Sequence, residues 1–224
     1  HKTSKAVSSN ATYYAITKKD AKTITVTFNK NGASSIGATS RSCTIAATYN
    51  GTAQGTTCSI TSPTITASSG FSVLGWNTSS GSTSSAWTQN TAKSFSSNAT
   101  YYAVTRSSSQ LTATFNKNGA TSIGSASQSC YRYNGGSSCN ITTPSITRSG
   151  FTITGWGTSA SATSAAVKVN TSVAISSNIT YYAVTSKVVT VTYSKGSNVS
   201  SIGSTSGTCT IRNSATNCQV TLPS

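Results

Sequence analysis

A self-similar period of 80 residues constrains this chain more than any local pattern in it. Gly150 to Val184 reads GFTITGWGTSASATSAAVKVNTSVAISSNITYYAV, and Gly70 to Val104 reads GFSVLGWNTSSGSTSSAWTQNTAKSFSSNATYYAV. A fixed period makes each unit a module of an array, so it governs how every shorter stretch is read. The end of the repeat occurs a third time at Ser8 to Ile16, SSNATYYAI. The upstream half recurs as well. Phe28-Asn29-Lys30-Asn31-Gly32, Phe115-Asn116-Lys117-Asn118-Gly119 and the looser Tyr193-Ser194-Lys195-Gly196-Ser197 line up, each followed by Ser-Ile-Gly at Ser35, Ser122 and Ser201. A cysteine pair comes next in each copy, and beyond it a proline, at Pro63, Pro144 and Pro223. The expected order is the terminal strand of a preceding repeat over 1–19, whole repeats over 20–106 and 107–185, and the front of an incomplete repeat over 186–224.

Within each period the signals are those of strands. Thr23 to Phe28 alternates apolar and polar positions and is rich in β-branched residues, and Asn31-Gly32 is a turn signal of the kind that closes a hairpin. Leu111 to Gly119 repeats this arrangement, and Val188 to Tyr193 opens the incomplete unit. Thr12 to Thr17 reads as the last strand of the preceding repeat. The prolines limit a strand because they donate nothing to a ladder. Ser72 to Trp76 and Thr152 to Trp156 read as central strands that end in a buried indole. Gly81 to Gln89 and Ser159 to Lys168 read as Ser/Ala-rich loop with room for one helical turn.

Recurrence in register marks Phe71, Trp76, Phe151 and Trp156 as core positions, with a sugar-stacking role for the aromatics open at the level of sequence. In the closing strand of each repeat, alternation sends Tyr101 and Tyr181 inward and their neighbours to the other face. Trp87 differs, because its counterpart is Val167. It is a candidate contact residue, with a locally adapted core position as the competing reading.

Modules of this length bury only roughly 60% of their unfolded surface and are marginal without a staple or a neighbour. Here Ser and Thr supply 87 of the 224 residues, which leaves little for a core. Six cysteines, one pair per copy, answer the shortfall. They allow 15 pairings in principle. Strict recurrence and strand-like flanks argue for three local disulfides, Cys43 with Cys58, Cys130 with Cys139 and Cys209 with Cys218, each closing a hairpin. A closed loop of ~15 residues contributes roughly 3 kcal/mol in the chain-entropy account. The first pair encloses a longer segment, with the extra residues around Tyr49-Asn50-Gly51. Tolerated insertions mark an exposed tip, so Tyr49 is a candidate contact. A structural zinc site needs four nitrogen or sulfur ligands, and His1 is the only histidine, so no metal or other cofactor is implied. Disulfides point outside a reducing cytosol, and no apolar run approaches the ~20 residues of a membrane helix. The chain reads as an excerpted extracellular, cell-surface segment without membrane insertion.

The succession of a TVTFNKNG strand, a proline-containing segment, GFxxxGW and NxTYYAV resembles the Listeria/Bacteroides repeat, also called the internalin B-repeat, of bacterial cell-surface proteins. The resemblance covers essentially the whole chain, and the departures from it are the cysteine pairs and the scarcity of acidic residues. It implies tandem β-grasp-like domains in an adhesin or surface stalk, with no catalytic residues to carry over.

General acid–base catalysis, a Ser-His-Asp arrangement and a carboxylate metal site all need residues this chain scarcely has. Asp20 is its single acid. No enzyme is expected. A net charge of +15 raises the question of an anionic partner. The 16 basic residues are spread along the chain and only Lys18 and Lys19 are adjacent, which argues against nucleic acid. The charge fits either the solubility of a Ser/Thr-rich protein or attraction to an anionic polymer, such as a cell-wall polymer, acidic glycan or extracellular DNA. Lys18, Lys19 and Lys22, in the denser N-terminal part, are candidate contacts. The expected function is that of a structural stalk, adhesin or filament component on a bacterial surface. Its expected partners are neighbouring repeats or further copies of itself, and the alternatives are an anionic polysaccharide or a host surface.

Overall fold

Ile24, Val26 and Phe28 alternate with Thr23, Thr25 and Thr27, and the first three are almost wholly buried. That alternation builds the first long strand of a sheet with one dry face and one wet face. In the computed structural model, which describes residues 4–50 and 55–223, the chain divides into the units His1–Arg106 and Ser107–Ser224. The first unit runs β1 (Lys18–Lys19), β2 (Lys22–Asn29), β3 (Ser35–Ile36), β4 (Ser40–Ile45), β5 (Thr48–Tyr49), β6 (Cys58–Thr61), β7 (Ile65–Thr66), β8 (Phe71–Asn77), β9 (Ala92–Phe95) and β10 (Ala99–Ser107). The second runs β11 (Leu111–Asn116), β12 (Ser122–Ile123), β13 (Ser127–Cys130), β14 (Cys139–Thr142), β15 (Ile146–Thr147), β16 (Thr152–Gly157), β17 (Ser172–Ile175), β18 (Ile179–Thr192) and β19 (Ser206–Arg212).

Each repeat is organised on one mixed sheet, ordered β4-β2-β10-β8 in the first and β13-β11-β18-β16 in the second. The first and last long strands lie parallel at the centre, with Phe28 opposite Tyr101 and Phe115 opposite Tyr181. This is the strand order of a β-grasp sheet. No helix occurs among the described residues, so the expected helical turns at 81–89 and 159–168 are absent. The inner face is covered instead by the small pairs β3–β7 and β6–β9, and β12–β15 and β14–β17. They deliver Ile60, Ile65 and Phe95, or Ile141, Ile146 and Ile175, to the two cores.

Four further expectations are corrected. Strands β8 and β16 lie at an edge of their sheets and are not central, because the closing strand intervenes between them and the first strand. Residues 12–17 form no strand. Asn31-Gly32 does not close a two-residue hairpin. It starts a longer link that places β3 on β7 before the chain returns as β4. The disulfides do form in the expected pairs, but they do not close ladders. Cys43 lies on β4, which pairs with β2, whereas Cys58 lies on β6, which pairs with β9. The bridge ties the edge of the main sheet to the covering layer, and Cys130–Cys139 does the same between β13 and β14.

The two layers are also keyed through the indoles. Trp76 and Trp156 are fully buried, and a buried indole N–H needs an acceptor. Trp76 Nε1 donates to the carbonyl of Pro63 at 3.1 Å and Trp156 Nε1 to that of Pro144 at 2.9 Å. Each backbone is clamped as well: Trp76 N donates to Trp87 O at 2.7 Å, and Trp87 N returns a bond to Trp76 O at 3.0 Å. The glycine of the GW pair permits this approach. Gly75 has φ 137°, and a Cβ there would lie 2.6 Å from Trp87 O.

Trp87 is 6% exposed and sits between Phe28, Phe95 and Tyr101 at centroid distances of 5.9, 5.4 and 5.1 Å. In the second repeat Val167 and Ile175 take the places of Trp87 and Phe95, and Tyr181 stacks on Phe115 at 5.7 Å. Trp87 is therefore a core residue of its own repeat and not a surface contact.

Trp156→Phe removes a donor and strands the Pro144 carbonyl, so it should cost about 2–3 kcal/mol in urea unfolding followed by circular dichroism. Trp87→Phe should cost roughly 1 kcal/mol, because Trp87 Nε1 has no acceptor among the described residues; equal losses would contradict the indole–carbonyl key. Burial also pushes the Tyr181 phenol above its ordinary value. Its contribution is complete below the unfolded-state value and is lost as pH rises through the folded one. Stability should hold to about pH 10 and then fall, less steeply in Tyr181→Phe.

Candidate functional site: the junction between repeats

The described residues contain no group of three or more potential metal ligands. Asp20 is held by Lys18 at 2.7 Å, and the hydrogen bond and charge of that ammonium lower its carboxyl below the usual range. The most elaborated polar construction lies where one repeat passes into the next.

It begins with a strand shared by two repeats. TYYAVTSKVVTVT contains no glycine or proline and is rich in β-branched residues, so nothing in it stops a strand. β18 accordingly runs unbroken from Ile179 to Thr192. Tyr182 to Ser186 pair with β16 of the second repeat, and Ser186 to Thr192 pair with β19 of the following one.

β19 then presents its tip to the repeat behind it. Asn213 takes the left-handed conformation, φ 50°, which asparagine tolerates better than most residues. Although it lies in a loop it is only 6% exposed. Its N–H donates to Thr185 O at 2.9 Å, and its Oδ1 accepts from Thr185 N at 3.2 Å. Its Nδ2 donates to Ala160 O at 3.1 Å and Ala162 O at 2.8 Å. The Ala160 carbonyl also accepts from Asn118 Nδ2 at 2.8 Å, so the turn of one repeat and the tip of the next converge on a single acceptor. Gly119 leaves room for the tip, since a Cβ there would come within 2.6 Å of Asn213 O. Arg148 closes the notch. Its guanidinium lies 3.5 Å from the Phe151 ring centroid and donates to Thr185 Oγ1 at 2.8 Å and to the Asn213 carbonyl.

The backbone part of this arrangement recurs. Asn50, φ 53°, donates its N–H at 2.9 Å to Thr17 O, the position equivalent to Thr185. Beside it β1 pairs with β5, Lys18 opposite Tyr49. Within the second unit Ser107 N donates to Arg132 O at 2.8 Å, the counterpart of the Lys187–Ile211 pairing.

The residues singled out from sequence divide among these places. Trp76, Tyr101, Trp156 and Tyr181 lie in the two cores, while Phe71 and Phe151 are half-buried outside them. Phe151 instead carries the Arg148 guanidinium. Tyr49 is 55% exposed, and Gly51 lies outside the described residues. Lys18, Lys19 and Lys22 are exposed. Lys19 and Lys22 line a depression of about 120 Å³ that Asp20, Thr48, Thr56 and Ser96 also border. Asn213, Thr185 and Arg148 were missed. The available signal was an asparagine at the tip of every cysteine loop, Asn50, Asn134 and Asn213, all with positive φ.

An all-β chain of two stapled sheet modules and part of a third, the second and third sharing strand β18, is a tandem repeat protein. The model of the Listeria-Bacteroides repeat domain matches residues 25–104 and 112–184, and the chain belongs to that family. The family consists of bacterial surface repeats and is generally non-enzymatic, which suggests an extracellular location. None of the curated proteins and none of the solved structures matches the chain. No helix among the described residues is long and apolar enough to cross a membrane.

The junction makes its own prediction. Asn213→Ala deletes the side-chain bonds to Thr185, Ala160 and Ala162, and should weaken docking of the tip by about 2 kcal/mol. Amide exchange at Thr185 should accelerate accordingly while Trp156 stays protected.

Proposed function

We propose that this chain is a non-enzymatic structural array on a bacterial surface, a stalk, adhesin shaft or filament component that sets reach. The observation that carries the reading is the shared strand β18, whose two halves pair with different repeats. A ladder that crosses a boundary, backed by the buried Asn213 plug, resists bending where a flexible linker would yield. Neighbouring repeats are the first partners of such an array, and copies of the same chain are the natural next ones.

NMR relaxation tests this. Amides of Val188–Arg212 should show the same rotational correlation time and order parameters as those of Ile179–Thr185, and Ser186→Pro, which breaks the ladder at its shared residue, should separate the two sets. Independent tumbling in the unaltered protein would sink the reading.

A second reading is favoured by the charge. The sole acid is neutralised by Lys18, and Lys19 and Lys22 border a small depression. These features support attachment to an anionic polymer. Retention on immobilised heparin or teichoic acid that persists at physiological salt, and weakens in Lys19→Ala/Lys22→Ala, is the expected result. Elution at low salt regardless of these lysines would remove this reading.

A further inference from the structure

In the loop between Cys209 and Cys218 the outgoing arm is β19, hydrogen-bonded along β18, and the tip is Asn213 in its notch. The returning arm, residues 214–218, belongs to no strand. Among the described residues it is restrained by a turn bond from Ala215 N to Arg212 O at 2.9 Å, by the close seat of Ser214 against Gly119, and by the disulfide. The conformation that aims the Asn213 amide at Ala160 and Ala162 is thus set by a short loop under covalent closure. Both cysteines are half-buried, within reach of a small reductant. The second repeat is built differently. Its returning strand β14 is also held by β17, and its core cluster draws on residues from Leu111 to Ala183, none of them part of the Cys209–Cys218 loop.

We infer that Cys209–Cys218 is a redox latch on the repeat junction. Oxidised, it holds the Asn213 plug in place and couples the two repeats. A dithiol reductant breaks the bond by thiolate attack through a mixed disulfide and leaves as its own disulfide. It supplies the two electrons and two protons that remain as the Cys209 and Cys218 thiols. The freed loop regains conformations that closure denied it. Asn213 then leaves the notch, and the following repeat is uncoupled from a second repeat that stays folded. This inference rests on the reading of the chain as a coupled array.

The test is residue-resolved amide hydrogen exchange on the full chain. Three forms are compared: the oxidised protein, the protein reduced with dithiothreitol, and the double variant Cys209→Ala/Cys218→Ala, which leaves the other two disulfides intact. Thr185 N, bonded to Asn213 Oδ1, and Asn213 N, bonded to Thr185 O, report the junction. Trp156 N, bonded to Val167 O at 2.8 Å, reports the core. In the double variant both junction amides should exchange at least about tenfold faster with Trp156 unchanged, and reoxidation of the reduced protein should restore them. Cys130→Ala/Cys139→Ala should leave Thr185 and Asn213 protected. Unchanged exchange at the junction overturns the latch, as does an equal loss at Trp156, which would make the disulfide a support of the whole fold. Junction amides unprotected even in the oxidised protein would instead remove the coupled-array reading on which the latch rests.

Discussion

The hydrogen bond from a buried indole to a proline carbonyl holds the rest of each repeat in place. A four-stranded sheet with one apolar face must be covered, and no helix among the described residues covers it. The cover is made of two-residue and four-residue strands that have little cohesion of their own. Trp76 reaches through the core to Pro63 and Trp156 to Pro144, which fixes the covering layer at one point, and the disulfide fixes it at another. Between these two points the small ladders fall into register with the main sheet. The proline serves twice, ending β6 or β14 for want of an N–H and offering a carbonyl that no ladder claims.

Given such pins, the rest of the core is free to vary. Trp87 and Phe95 fill the first repeat with rings, while Val167 and Ile175 fill the second with branched aliphatics. Phe28 and Phe115 keep nearly the same edge-on approach to their tryptophans, at 4.9 and 4.8 Å. Side-chain volume changes between the repeats while the polar geometry is kept closely, as in an interior specified by a few directional bonds.

Much of this was legible in the sequence because repetition does the work of an alignment. Recurrence at an offset of 80 residues marked Trp76, Trp156, Tyr101 and Tyr181 as core, though Phe71 and Phe151 recur without entering it, and the cysteines declared their partners. Alternation in ITVTF placed Ile24, Val26 and Phe28 on one face correctly. What misled was reading each element by itself. Trp87 stood out because its counterpart is a valine; of its two readings the structure takes the locally adapted core position, while Val167 packs half-buried against the second core. The loops around 81–89 and 159–168 looked able to turn as helices, but their backbone is committed to Trp76 and Trp156. The junction residues were hidden for a different reason. Asn213 reads as an ordinary turn former, and only the fold shows that the turn is buried against Thr185, Ala160 and Arg148.

The parallel pairing of the first and last long strands has a consequence for how these modules bear tension. The chain enters the first repeat at the start of β2 and leaves at the end of β10, and the two strands lie side by side pointing the same way. A pull on the two ends therefore drags neighbouring strands past each other lengthwise. Their cross-links are strained together and not parted one after another as in an unzipping hairpin. A shear geometry of this kind gives a small, weakly hydrophobic domain a resistance to force out of proportion to its thermodynamic stability, because rupture has to pass through a state in which many bonds break at once.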